Sequence, residues 1–282
     1  MKAAEVAYSR PGTIAEAIAL LAEHGEDARP LAGGQSLVTS LNMRLAAPTL
    51  LVDLNRIPEL AGIRAEGDTI RIGAMTRHRD LAESEVIRQH LPLIAAAVPH
   101  IAHPAIRNRG TIGGSLSLAD PATELPACCL ALDAAMIAQG PGGERRIRAG
   151  DFFQGLYATA LAPDELLVAI EIAAQPSDGL WGFEELARRH GDYALAGLAA
   201  VARRSPEGLA DARLVFFGVG DRPILSGRAG EALRTGDVRA AQDALAGDIS
   251  PADDVAVRGA TRHHLARILL GRVAARMLGG PV

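Results

Sequence analysis

The feature that most constrains this chain is a repeated glycine pair: Gly33-Gly34 within Ala32-Gly-Gly-Gln-Ser36, and Gly113-Gly114 within Thr111-Ile-Gly-Gly-Ser115. Each pair adjoins an apolar stretch and is followed by a side chain or amide able to hydrogen-bond. Backbone without side chains can come close to an anion and aim its N–H groups at it, which is what holding a dinucleotide pyrophosphate requires. One isolated Gly-Gly is ordinarily a simple turn, so the reading rests on the joint context of the two. Neither pair sits in Gly-x-Gly-x-x-Gly or in the phosphate loop that ends in Gly-Lys-Ser/Thr. The nicotinamide-Rossmann and nucleotide-triphosphate readings therefore lack their fingerprints.

The segments around the loops alternate in type. Thr13-Ile-Ala-Glu16 is a capping-box pattern, Ile14, Ala17, Ile18, Leu21 and Ala22 share a helical face, and Gly25 stands where a helix would stop. A strand at Pro30–Leu31 then runs into the first glycine turn, followed by a short helix within Ser36–Leu45 and an apolar strand over Thr49–Leu54. Ile70 and Ile72 alternate with polar neighbours as in a half-buried strand over Asp68–Ala74, and a short helix starts within Thr76–Leu81. Ser84–Val98 is helical with an interruption at Pro92. His100–Pro121 is rich in Gly, Pro and Ser without helical periodicity, as in a ligand-binding segment or linker. Ala122–Leu132 reads as a helix, Ala134–Ala138 and Glu144–Arg148 as a hairpin about Gly140-Pro-Gly-Gly143, and Leu166–Ile172 as a strand. Beyond a linker at Gln175–Asp178 come strands at Leu180–Leu186, Leu195–Arg203 and Ala212–Val219. Helical stretches follow within Leu225–Thr235, Val238–Leu245 and Val255–Leu278.

Composition removes several function classes. Lys plus Arg number 29 against 33 Asp plus Glu, a net charge of −4 with no footprint for nucleic acid. The only cysteines, Cys128 and Cys129, are adjacent and cannot supply the spaced ligands of zinc or an iron–sulfur cluster. The N-terminal stretch lacks the apolar run of a secretory signal, and no run approaches the roughly 20 apolar residues of a membrane span, so a cytoplasmic protein is expected. Aromatics are only 3%, which gives weight to any that fall near a glycine loop.

The motifs Arg29-Pro-Leu-Ala-Gly-Gly-Gln-Ser-Leu37, Leu51-Val-Asp-Leu54, Ile72-Gly-Ala-Met-Thr76 and Ile101-Ala-His-Pro-Ala-Ile-Arg-Asn-Arg-Gly-Thr-Ile-Gly-Gly-Ser115 continue into Ala119-Asp-Pro-Ala-Thr-Glu124. With Pro163-Asp-Glu-Leu-Leu167 and Gly191-Asp-Tyr-Ala194, they resemble the FAD-binding medium subunit of the molybdenum hydroxylase family, the xanthine dehydrogenase and aerobic carbon monoxide dehydrogenase type. The likeness covers essentially the whole chain. It implies an α+β fold: a PCMH-type FAD-binding domain over 1–176, in two subdomains of about 1–55 and 56–176, then a C-terminal domain over 177–282 of three-stranded antiparallel sheet plus helices.

The same resemblance implies that Ala32, Gly33, Gly34, Gln35, Ser36 and Leu37 hold one side of the FAD pyrophosphate, and Thr111, Ile112, Gly113, Gly114 and Ser115 the other. Ile101 and Ala102 would line the isoalloxazine or its tail, Asp120 and Glu124 the ribityl and adenosine portion, with Leu167 also among the cofactor contacts. Tyr193 would pack against the flavin ring and control access of the electron acceptor. Each side residue also has a structural reading. Asp120 can be a helix cap, Glu124 a solvated first-turn acid, Tyr193 a core tyrosine and Asp53 a strand-end residue. His100 and His103 read as loop structure, while Arg107 and Arg109 brace the loop or meet phosphate. Where some relatives place a lysine able to reach the flavin, this chain has Phe183-Glu-Glu185, which removes a cationic contact for reduced flavin.

No nucleophile–base pair or paired carboxylates are marked by spacing, so the flavin carries the chemistry. The resemblance implies a molybdenum cofactor in a large partner subunit and two [2Fe–2S] clusters in a small one, in a dimer of heterotrimers. Electrons would pass from the clusters to FAD and on to an external acceptor. A stand-alone FAD-dependent oxidoreductase and a flavin-free scaffold are the alternatives. Substrate and acceptor stay open, because the substrate pocket belongs to another chain.

Overall fold

A computed structural model describes residues 3–255 and 257–279. Met1 and Lys2 of the N-terminal stretch, and Ala256 in the last predicted helical stretch, lie outside the described residues. The first sheet contains β1 (Ala7–Ser9), β2 (Ala28–Leu31) and β3 (Leu50–Asp53), all parallel, with β3 in the middle. Helix α1 (Ile14–His24) crosses over between β1 and β2. It starts where Thr13 Oγ1 accepts the Glu16 N–H at 3.2 Å, and it stops at Gly25, whose φ of 53° suits glycine. Glu16 reaches back to the amide of Gly12, one residue before the position of a standard capping box. Ala17, Ile18 and Leu21 are the buried face of α1. Each large side chain among them contributes about 1.5–3 kcal/mol on burial.

Helix α2 (Leu37–Asn42) joins β2 to β3. A five-stranded antiparallel sheet follows, built from β4 (Ile63–Glu66), β5 (Thr69–Gly73), β6 (Ala135–Gly140), β7 (Gly143–Arg148) and, after a small hairpin of β8 (Phe153–Gly155) and β9 (Ala158–Thr159), β10 (Leu166–Ala173). Its order is β4-β5-β10-β6-β7. Period-two alternation divides it between two cores: Ala135, Ile137, Leu166 and Val168 face the first sheet and α1, whereas Met136, Ala138, Leu167 and Ile170 face the helices. The 70s-to-130s crossover is a helical layer, α3 (His78–Glu83), α4 (Glu85–His90), α5 (Pro92–Ala97), α6 (Pro104–Arg107), α7 (Ile112–Leu118) and α8 (Glu124–Ala131). A short helix α9 (Ala149–Phe152) leads into the β8 hairpin.

Two short helices inside His100–Pro121 correct the expectation of an irregular segment. Helix α6 is one turn long and opens on Pro104, and α7 carries its glycine pair inside its first turn, so neither shows a sequence period. The last sheet is antiparallel, with β11 (Leu180–Leu186), β12 (Ala196–Arg204) and β13 (Leu209–Phe217), to which a two-residue strand β14 (Ile224–Leu225) adds a fourth edge. Gly197 lies opposite Phe217, and a Cβ there would meet the ring at 2.0 Å. Leu198, Leu214 and Phe216 pack on α10 (Gly227–Ala232), α11 (Val238–Ala244) and α12 (Gly259–Met277), while Ala199, Val215 and Phe217 join the core of the helical layer. The C-terminal sheet thus shares a hydrophobic core with the layer that carries the second glycine pair.

Candidate functional site

The first glycine loop leaves β2 at Leu31 and enters α2 at Leu37. Gly34 has φ 74°, a left-handed backbone that favours glycine, and Gly33 lies so close to the second glycine segment that a Cβ would sit 2.3 Å from the Arg109 carbonyl. Asn55 steadies the loop, donating from Nδ2 to the Ala32 carbonyl at 3.0 Å, and Gln35 Nε2 donates to the Gly33 carbonyl at 3.0 Å. Among the described residues, the N–H groups of Gly33, Gly34, Gln35, Ser36 and Leu37 have no hydrogen-bond acceptor. Aimed at one anion, such amides would replace the water they otherwise need.

A cavity of about 420 Å³ opens beside them, lined also by Tyr8, Val38, Asp53, Asn55 and Arg109. That volume lies within the range of small-molecule sites. Tyr8 donates its phenol to Asp53, Arg10 lies 3.3 Å from the same carboxylate, and Arg77 bridges Asn55 and the Arg109 carbonyl. Burial alone would raise the Asp53 pKa, but hydrogen bonds from Tyr8 and Asn55, with Arg10 nearby, outweigh it and hold the carboxylate below its ordinary value. Asp53 is thus both a strand-end residue and a wall of the cavity.

The second glycine pair is built differently. Thr111 caps α7 by accepting the Gly114 N–H at 3.1 Å, the Gly113 N–H donates to the Ala74 carbonyl at 2.8 Å, the Ile112 N–H to Thr76, and the Ser115 N–H to Thr111. A Cβ on Gly113 would lie 2.5 Å from that of Ala74. The amides expected to stand open on this side are therefore occupied by the fold itself. Ile112 is in the core, and Gly114 faces Ala32, which a Cβ would approach to 3.7 Å. Ser115 Oγ meets His78 Nε2 at 3.1 Å. Burial pushes the pKa of His78 down to about 4, so the ring is neutral at physiological pH.

Helix α7 spans roughly 10 Å by its seven residues and carries the site from Thr111 to Asp120. Asp120 is buried, accepts the Ala122 N–H at 3.0 Å, and receives the Tyr157 phenol at 3.3 Å. It caps that turn, while Thr123 occupies the N-cap position of α8. Glu124 is buried as well, which overturns the solvated first-turn reading; burial, reinforced by the charge of Glu185, raises its pKa to about 8. Tyr193 is 62% exposed and so is not a core tyrosine. Partial burial, then the nearby Asp120 and Glu124, raise its phenol pKa.

Ala102 has φ 44°, and the backbone of Gly191 packs against it so closely that a Cβ would lie 2.7 Å from its carbonyl. The Arg107 guanidinium braces this corner by donating to the Ile101 and Ala102 carbonyls at 2.8 and 2.9 Å. Ile101 is 8% exposed. Leu167 is buried at the β10–β6 bulge, in the core below these residues. Sequence reasoning missed Tyr8, Asn55 and Tyr157, which stand in no motif, and it did not foresee the partner of His100. Its Nδ1 lies 3.4 Å from Glu185 Oε1, a carboxylate 85 positions away in sequence. Alternation along β11 turns Glu184 outward to Arg272 and Arg276 and Glu185 inward.

The chain matches the FAD-binding domain in molybdopterin dehydrogenase over residues 4–174, and the C-terminal domain of carbon monoxide dehydrogenase flavoproteins over 181–277. It belongs to the family of FAD-binding medium subunits of molybdenum hydroxylases, and its class is that of an oxidoreductase subunit. The alpha subunit of the 6-hydroxypseudooxynicotine dehydrogenase complex of Paenarthrobacter nicotinovorans is 40% identical, covering 99% of this chain and 96% of the relative. The carbon monoxide dehydrogenase medium chain of Hydrogenophaga pseudoflava is 41% identical over 88% of each. Among solved structures, carbon monoxide dehydrogenase from Hydrogenophaga pseudoflava superposes with a TM-score of 0.95 at 38% identity, and quinoline 2-oxidoreductase from Pseudomonas putida 86 with 0.93 at 34%; each covers 99% of both chains. Among the described residues, no helix is long and apolar enough to cross a membrane.

Proposed function

We propose that this chain holds one FAD along the line from the first glycine loop to Tyr193 and serves as the electron-transfer subunit of a molybdenum hydroxylase in the cytoplasm. The observation that carries the reading is the row of open amides from Gly33 to Leu37 beside a cavity that Arg109 flanks. Those N–H groups would bind the pyrophosphate, with Thr111, Ile112, Gly113, Gly114 and Ser115 forming the opposite wall. Asp120 and Glu124 would lie along the ribityl and adenosine portion, over the core that Leu167 fills. Ile101 and Ala102 would line the ring end, and Tyr193, with its exposed phenol, would govern what reaches the ring. Bound there, FAD would supply the electron-accepting centre that the side chains lack. Its electrons would come from two [2Fe–2S] clusters on a small partner subunit, and ultimately from a molybdenum cofactor on a large one, in a dimer of heterotrimers. An external acceptor would receive them.

The relatives that are subunits of carbon monoxide dehydrogenase and of a nicotine 6-hydroxylase support the assembly. An absorption spectrum of the purified chain, with chromatography of any nucleotide released on denaturation, tests the reading. One FAD per chain is expected. A colourless chain that takes up no FAD even with its partner subunits would overturn it.

A further inference from the structure

Side-chain hydrogen bonds run without a break from one glycine segment to the other. Asn55, two residues beyond β3, is held by Asp53, whose Oδ1 accepts its backbone N–H at 2.9 Å and its Nδ2 as well. The same Nδ2 donates to the Ala32 carbonyl at 3.0 Å, and Asn55 Oδ1 accepts from the Arg77 guanidinium. Arg77 also donates to the Arg109 carbonyl, the atom on which Gly33 is seated. These contacts fix the orientation of the Asn55 amide. Turned over, it would set its oxygen against the Ala32 carbonyl and the Asp53 carboxylate, and its NH2 against a guanidinium.

The Arg77 backbone is tied to the second segment. It pairs with Thr111 in an isolated antiparallel bridge, the His78 N–H donates to the Gly110 carbonyl at 3.0 Å, and the Ile112 N–H donates to that of Thr76 at 3.0 Å. Its side chain therefore reaches from one segment to the other. Both oxygens that it meets are neutral, so the rigid guanidinium fork acts there as a two-point brace. In a trans peptide the carbonyl and the next N–H point in opposite directions, and the Ala32–Gly33 bond is trans. Holding the Ala32 carbonyl on Asn55 therefore aims the Gly33 N–H away from Asn55, and Gln35 Nε2 on the Gly33 carbonyl fixes the Gly34 N–H in the same way. Gly33 is the first of the open amides.

We propose that Asn55 and Arg77 form a clamp that joins the two glycine segments and holds the Gly33 amide in the direction that binds the pyrophosphate, with Arg77 as its positioning residue. This rests on the FAD reading above. A loop ordered before the ligand arrives loses less freedom on binding. Arg77 thus raises affinity through Asn55 and the Arg109 carbonyl, without a ligand contact of its own.

The test is a double-mutant cycle on the full-length chain, with Arg77→Met, Asn55→Ala, the double variant and Arg77→Lys. It is read by fluorescence titration with FAD and by NMR relaxation of the Gly33 amide without FAD. In wild type, that amide should be as rigid as those of β2. Each single variant should loosen it and weaken FAD binding about tenfold, and the double variant should bind no more weakly than either, because one brace is broken once. Arg77→Lys should match Arg77→Met, since an ammonium does not fork to two acceptors. If Arg77→Met fails to fold, Asn55→Ala, which removes no charge, carries the same expectation. Full affinity in Arg77→Lys would make Arg77 a distant cation and overturn the clamp. Effects that multiply in the double variant, or a Gly33 amide as rigid in Asn55→Ala as in wild type, would overturn it too. A wild-type chain that takes up no FAD even with its partner subunits would overturn the FAD reading, while the Gly33 amide still decides the clamp.

Discussion

The two glycine pairs look alike in sequence and do different work in the fold. The first, Gly33-Gly34, leaves a run of amides open beside a cavity; the second, Gly113-Gly114, has its amides taken by Ala74 and by the Thr111 cap. Both pairs need absence of volume, Gly33 against the Arg109 carbonyl and Gly113 against Ala74, and the first needs backbone freedom as well, with Gly34 at φ 74°. The same dipeptide therefore leaves amides open in one place and has them bonded within the fold in the other, and the difference comes from what lies opposite.

Substitutions can break or sharpen that contrast. The largest effect is expected from Gly113→Val, which forces a branched side chain into Ala74 and should cost about 3 kcal/mol of stability by chemical denaturation. A variant of normal stability that simply fails to bind FAD would make the second pair a cradle like the first. Of comparable size is the pH dependence of Glu124. Its carboxyl titrates at about 8 in the folded chain against 4.5 as the ordinary value, so the protonated form is favoured by folding. That contribution is complete below about pH 4.5, is lost as pH rises towards 8, and levels off above. Glu124→Gln should flatten this slope in denaturation series run across that window, and an unchanged slope would place the titration elsewhere.

Gly33→Val should push the loop off the Arg109 carbonyl at a cost in stability and, unlike Gly113→Val, also weaken FAD binding in the chain that still folds, roughly tenfold or about 1.4 kcal/mol. Isothermal titration gives the affinity, and an unchanged affinity would erase the contrast. The smallest effect is that of Thr111→Val, which removes the α7 cap and should cost about 1 kcal/mol. Thermal unfolding measures it; no change would mean that Gly114 finds another acceptor.

Much of the local structure was legible because its causes are local. Thr13 and Gly25 bound α1, and Gly140 through Gly143 turn the β6–β7 hairpin. The period of Ile70 and Ile72 marks β5 as a half-buried strand. The family, and hence the glycine loops, were legible from motifs spread over the whole length. Helices α6 and α7 were not, since one turn, or a turn made of glycines, leaves no periodic trace. The partner of His100 was hidden for a different reason: Glu185 is on β11, and nothing in either neighbourhood predicts the meeting.

By itself, then, the sequence determined most of the elements, their order and the family. Only the tertiary structure decided which glycine pair keeps its amides free, which acids are buried, and which histidine meets which carboxylate. Those outcomes depend on what is packed opposite a residue, and contacts between segments dozens of residues apart are set by the joint burial of three cores rather than by any local pattern.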